Sequence, residues 1–204
     1  MLALFTRGVA AVPGDSGGWD STTMGLVTRG AWAAAAGDTT SARRLLATIR
    51  TCSAGDIARQ GFTPALVQAW IAARAGHWQA VVQVLGPAAL QGEPKGYVEF
   101  QAAPLGRWLV AEAYERLDRP DSAVAYFQRA VAPPPAGGVD VAHSRMAFSF
   151  GHQRLVLLYA RMGRLQEARQ HWEIFQQTFT APDPELRPML DEARQALAKA
   201  EAKP

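Results

Sequence analysis

The chain has 204 residues, 49% of them hydrophobic and 19% charged, a composition that fits an ordered polypeptide and excludes extended disorder. Its formal charge is +3, and its single cysteine, Cys52, excludes an intramolecular disulfide and a thiolate cluster for zinc or iron–sulfur. The lone cysteine makes a reducing cytoplasm the simplest setting, and the longest apolar runs, residues 31–36 and 155–160, fall far below the roughly 20 residues of a membrane-spanning helix, so no membrane segment is expected.

Residues 1–20 read as an irregular or partly helical N-terminal segment. Leu2, Phe5, Val9 and Val12 recur at roughly helical spacing, as the remnant of a preceding helix would, and Arg7 interrupts the apolar stretch a secretory signal would need. Gly14-Asp15-Ser16-Gly17-Gly18 reproduces the string around the nucleophile of trypsin-like serine proteases. In that arrangement the serine follows its histidine and aspartate, and here no histidine precedes it. The string reads instead as a turn feeding the first helix, with Asp20 or Ser21 as its cap.

From residue 21 to 182 one rhythm occurs four times: a helical apolar stretch, a tight turn, a second helical stretch. The units lie near 21–50, 62–91, 104–135 and 142–180. Their turns are Ala36-Gly37-Asp38, Ala75-Gly76-His77, Leu117-Asp118-Arg119 and Met162-Gly163-Arg164. Glycine suits a helix end that closes in the left-handed conformation, and at the one turn without it Pro120 fits the first turn of the next helix. The phase is constant: nine residues separate Ala33 from Ala42, Ala72 from Val81, Tyr114 from Ala123 and Tyr159 from Ala168.

These units resemble tetratricopeptide (TPR) repeats, whose pattern sets Trp, Leu-Gly and Tyr on the first helix and Ala, an aromatic and Pro on and after the second. The third unit carries Val110-Ala111 and Tyr114, then Ala123, Phe127, Ala130 and Pro133-Pro134-Pro135. The fourth carries Leu155-Val156, Tyr159, Ala168, Trp172 and Pro182. The first two keep only Ala42 with Leu46 and Val81 with Leu85. The resemblance implies an all-α protein, an α-solenoid of about four TPR-like helix-turn-helix units. Intervals of 39, 42 and 45 residues between the post-turn positions exceed the family's usual length of about 34, with the extra residues at 91–104 and 133–141, so an irregular stack is expected.

Residues 183–204 read as a C-terminal capping helix and tail. Asp183 is placed to cap it, and Leu186, Leu190, Ala193, Leu197 and Ala200 form its apolar stripe. His77, His143, His152 and His171 show no metal-ligand spacing, and neither a phosphate loop nor a dinucleotide fingerprint occurs. No catalytic residue, cofactor or metal is expected, and the chain is not expected to be an enzyme.

The resemblance implies a scaffold whose first helices line a concave groove for a protein or peptide. Trp108, Glu112 and Arg116 in the third unit, with Gln153 and Arg161 in the fourth, hold the groove-lining places off the packing stripe. The family members that clamp a C-terminal carboxylate use Lys and Asn at such places, and neither occurs here. More loosely, the chain resembles the helical C-terminal regions of large bacterial serine/threonine kinases and transcriptional regulators, which implies a docking or sensory part of a signalling system. The alternative is a nucleic-acid-binding helical repeat using distributed arginines. Arg43-Arg44 is the only adjacent arginine pair, so nucleic acid is not the expected partner.

Ser16→Ala is expected to leave labelling by an active-site fluorophosphonate at background in both proteins. Stoichiometric labelling that vanishes in the variant would overturn the non-catalytic reading of residues 14–18.

Overall fold

In a computed structural model, the described residues are 23–51, 63–90, 97–132, 142–179, 184 and 186–202. The N-terminal segment with Ser16, and Cys52, lie outside them. Among the described residues the structure is all-helical, with α1 (Thr23–Ala36), α2 (Thr39–Arg50), α3 (Thr63–Arg74), α4 (Trp78–Leu90), α5 (Tyr97–Arg116), α6 (Pro120–Ala130), α7 (Ala142–Arg161), α8 (Leu165–Thr178) and α9 (Arg187–Glu201). No helix among them is long and apolar enough to cross a membrane.

Four of the connections are built the same way. After α1, Gly37 N–H donates to the Ala34 carbonyl and Asp38 N–H to the Ala33 carbonyl, and Ala42 N–H then returns to the Asp38 carbonyl. The same three bonds recur around Ala72, His77 and Val81, around Tyr114, Arg119 and Ala123, and around Tyr159, Arg164 and Ala168. Each pair of closing bonds satisfies carbonyls that the helix end would otherwise orphan, and it requires one left-handed residue. Gly37, Gly76 and Gly163 supply it at φ 95°, 75° and 75°. In the third turn Asp118 does so at φ 55°, the only non-glycine with positive φ among the described residues. At the start of α2, Asp38 also accepts a bond from Ser41 N–H at 2.9 Å, which holds its carboxyl below the usual range.

The constant phase of nine has a packing reason. Ala42, Val81, Ala123 and Ala168, the first residues after each turn to face inward, are all fully buried. Gly30, Ala69, Ala111 and Val156, three residues before each pre-turn position, are buried as well. Small side chains at both places let the two helices of a unit approach closely.

Each first helix packs on its own second helix and on the first helices of adjacent units: α1 on α3, α3 on α5, α5 on α7, and α7 on α9. Each second helix lies between its own first helix and the next one. First helices are therefore enclosed on several sides and second helices on two. The sequence follows this difference: α5 buries a continuous run from Trp108 to Ala113, whereas α2 buries only the stripe Ala42, Leu46 and Ile49. One apolar core runs from Ala34 to Ala200, and Val156, Phe175, Leu190 and Ala193 form a second cluster under α9.

Two boundaries differ from the sequence expectation. The stretch 91–104 was expected to be an insertion before the third unit, yet α5 begins at Tyr97 and runs through Pro104. Proline's missing N–H removes one rung of a ladder that continues on both sides, which a 20-residue helix packed on several others can sustain. The last helix starts at Arg187 rather than near Asp183, with Leu186 as a cap lacking a side-chain bond and Pro188 in the first turn. Asp183 itself lies outside the described residues.

The turn geometry sets up a matched comparison. A Cβ at Gly76 would meet nothing within 4 Å, so Gly76→Ala isolates the backbone cost of φ 75°. It is expected to lower stability by about 1 kcal/mol, while Asp118→Gly is expected to raise it by up to about 1 kcal/mol. Ala123→Trp or Ala168→Trp should cost about 1–3 kcal/mol or more against an exposed control at Gln166. Urea unfolding measures each of these variants. Equal stability of the buried and exposed tryptophan variants would overturn the packing assignment.

Candidate functional site

The five groove residues expected from the sequence do not share one open surface. Trp108 is 5% exposed, its ring meeting Phe127 edge-on with centroids 6.2 Å apart. Glu112 is buried one turn along. Gln153 is 3% exposed and is covered by the C-terminal helix: its side-chain N–H groups donate to Glu192 at 2.9 Å and to the Met189 carbonyl at 3.4 Å. Arg116 and Arg161 are exposed. The expectation of a common groove is thus corrected for Trp108, Glu112 and Gln153. α5 is flanked by the first helices α3 and α7, and α7 by α5 and the C-terminal α9, so faces that would line a groove in an open stack lie at seams between elements.

Those seams carry several long-range polar contacts. Between the second and third units, the Tyr126 hydroxyl donates to the Gly86 carbonyl at 3.1 Å, and the Arg116 guanidinium lies over Trp78, 5.5 Å from the ring centre. Between the third and fourth, Arg154 holds Glu115 through Nε at 3.2 Å and through Nη2, and Gln128 donates to the Tyr159 hydroxyl at 2.7 Å. Between the fourth unit and α9, Gln153–Glu192 is joined by Arg169 Nε on Glu201 at 2.7 Å and by Arg194 stacked over Trp172 at 5.8 Å. The Glu115–Arg154 and Gln153–Glu192 partners are each 39 residues apart. No local spacing exposes such pairs; only superposing whole units does.

Two buried titratable positions stand out chemically. Glu112 has one oxygen 3.5 Å from Arg116 Nη2 and the other with no hydrogen-bond partner. Desolvation outweighs the attraction of Arg116 and Arg154, and the Glu112 carboxyl is pushed above the usual range. The Trp108 indole N–H, four residues earlier on α5, is also buried without a partner. On the next first helix, His152 is 3% exposed and its Nδ1 lies 2.8 Å from Nδ1 of His171 on α8. One ring must donate and the other accept, so the neutral pair has opposite Nδ1 protonation. Phe148 packs edge-on against His152 at 4.4 Å, and Tyr159 stacks on His171 at 5.6 Å.

Burial, and then the neighbouring His171, depress His152 to about 4. Burial also lowers His171, against the pull of Glu167, whose carboxylate is bonded to Arg164. The pair is a poor base at neutral pH and has no third ligand beside it. Among the described residues no group of three or more His, Cys, Asp or Glu could hold a metal ion.

Opposite pH signatures are expected from these two positions. Unfolded His152 takes up a proton near 6.5 and the folded one only near 4, so its contribution is present above about pH 6.5 and is lost as pH falls toward 4. Glu112 has the reverse sign, its folded pKa being raised, so its contribution weakens as pH rises. Glu112→Gln should therefore raise stability at pH 7 by about 1–3 kcal/mol, since Arg116 remains hydrated. His152→Leu should flatten the loss of stability between pH 7 and pH 5. Urea unfolding of each protein at both pH values checks the signs, and a stability loss on Glu112→Gln at pH 7 would refute the desolvation argument.

Comparison with protein-family models, with curated proteins and with solved structures finds no match for the chain.

Proposed function

We propose that the chain is an α-solenoid of four TPR-like helix-turn-helix units closed by a C-terminal capping helix, and that it serves as a protein–protein interaction scaffold rather than an enzyme. The observation that carries the reading is the fourfold recurrence of one backbone-bonded turn in one register, joined to the regular succession of helix neighbours. A chain built this way spends its sequence on stacking and presents the remainder as an extended surface. α9 supports the role of a cap: it lays Leu190, Ala193, Leu197 and Ala200 on the last unit and keeps Asp191, Glu192, Arg194 and Lys199 outward. The looser resemblance to C-terminal regions of bacterial kinases and regulators extends the proposal to a docking part of such a signalling system. The fold alone carries no specific partner.

Architecture and function are tested separately. In a stack, stability is a sum of unit and interface terms, so damage at one end stays local. Leu46→Ala in α2 is expected to speed hydrogen exchange in α1 and α2 while α7 to α9 keep their protection. Uniform acceleration through all helices would show a single cooperative bundle instead. For function, a tagged chain is expected to retain a protein from nuclease-treated lysate of its source cell at both low and high salt, with the interaction reproduced from purified components. Recovery of nucleic acid alone, lost as salt rises, would replace the scaffold with the nucleic-acid reading.

A further inference from the structure

Superposing the units on their pre-turn residues aligns side chains far apart in sequence. Two residues beyond Ala72, Tyr114 and Tyr159 stand Arg74, Arg116 and Arg161, each in the last turn of its first helix and each exposed. Five residues beyond stand His77, Arg119 and Arg164, also exposed, at the entry to the second helix. The first unit departs from the pattern, with a buried Ala35 and the capping Asp38. Two of the first row lean back toward the preceding unit. Arg74 Nη2 would lie 2.9 Å from a Cβ on Gly37, and Arg116 covers Trp78. Since the turns share one geometry and α3, α5 and α7 pack in succession, these five arginines, with His77 in the second turn, follow one edge of the molecule.

Local physics explains only half of this pattern. A cation in the last turn of a helix is favoured by the helix dipole. Arg119 and Arg164, however, are the N-cap residues of α6 and α8, where a cation is disfavoured, and neither makes a side-chain cap bond. Asp38 shows what capping alone selects at that position. Five carboxylates lie near the edge: Asp38 in the first turn, Glu112 beside Arg116, Glu167 bonded to Arg164, Asp121 within the field of Arg164, and Asp118 in the third turn. Among the described residues Arg74 and Arg161 have no ion-pair partner, and α3 and α4 contain neither Asp nor Glu.

We propose that this turn edge docks an extended acidic segment of a partner protein that presents a carboxylate at about every third residue. The inference rests on the stacked-unit reading above and names the kind of partner it fits. Packed helices lie about 8–10 Å apart, and one turn of a polyproline II segment rises about 9 Å over three residues and returns every third side chain to the same face, so successive arginines of the first row match every third side chain. Guanidinium forks suit carboxylates, which they can grip through two bonds. A nucleic-acid strand fits less well, because it presents a phosphate about every 3.4 Å along a duplex, a far denser row than the arginines.

The test uses the full chain and fluorescence anisotropy with three probes: a labelled peptide with glutamates at every third position, one of equal composition with its glutamates contiguous, and a single-stranded RNA of matching charge. The spaced peptide is expected to bind tightest, and more weakly as salt rises. Arg74→Glu combined with Arg161→Glu should weaken it by about tenfold or more, with unchanged circular dichroism, while Arg43→Glu on the outer face of α2 should change it little. Equal binding of the two peptides, tighter binding of the RNA, or indifference to the paired substitution would overturn the proposal. Failure here with the local hydrogen-exchange response intact removes the acidic ligand and leaves the stack standing; loss of that response removes the register itself.

Discussion

The structure depends on how its first helices end. Closing a helix with one left-handed residue reverses the chain within three residues, and the two backbone bonds that result fix where the second helix starts relative to the first. A one-residue change in any turn would rotate the second helix by about 100° and carry Ala42, Val81, Ala123 or Ala168 out of the seam. Glycine makes that closure cheap at three turns. At the fourth, Asp118 adopts it at a conformational cost, and Pro120, in the first turn of α6, lacks only an N–H that has no partner inside the helix. Four turns with different residues and one bonding pattern show that the constraint lies in the backbone.

Once the register is fixed, the environment of each position follows from how many helices surround it. α5 illustrates this with two carboxylates three residues apart. Glu115 faces α7 and receives two bonds from Arg154, a pairing that offsets much of its desolvation. Glu112 faces inward beside Trp108, where burial outweighs an exposed arginine at 3.5 Å and the field of Arg154, so its carboxyl is shifted upward. α7 repeats the contrast with neighbours in sequence: Gln153 is satisfied by α9, whereas His152 keeps a buried Nε2 without a partner. Polar side chains on first helices thus serve the seams, and the incompletely satisfied ones should make stability depend on pH.

Much of this was legible in the sequence, and the rest was hidden for identifiable reasons. The four turns, the interval of nine and the apolar stripe of α9 are local patterns, and each corresponds to a helix boundary or a buried face in the structure. The start of α5 was not legible, because Gly and Pro near residue 100 read locally as a loop while packing carries the helix through Pro104. Trp108, Glu112 and Gln153 were assigned to a surface from their offset on one helix. Their burial depends on α6, α7 and α9, whose positions no single-helix count supplies. The seam pairs Glu115–Arg154 and Gln153–Glu192 were missed for the same reason, although alignment of whole units would have placed them on neighbouring helices.

The same geometry limits where a partner could be met. A first helix packed on its own second helix, on the preceding second helix and on first helices to either side has little free face along its length. Even residues one or two turns before the end, such as Trp108 and Glu112, are enclosed. Solvent returns in the last turn, where Arg74, Arg116 and Arg161 emerge, and continues through the turn to His77, Arg119 and Arg164. At these positions the side chains reach solvent while some still lie on the neighbouring elements, Arg116 on Trp78 and Arg164 on Tyr159. Arg116 over Trp78 and Arg164, bonded to Glu167 and lying over Tyr159, have local partners, whereas Arg74 and Arg161 have no ion-pair partner among the described residues. In the proposed stack, an extended ligand running from turn to turn would meet both, because the spacing of the packed helices also spaces these charges.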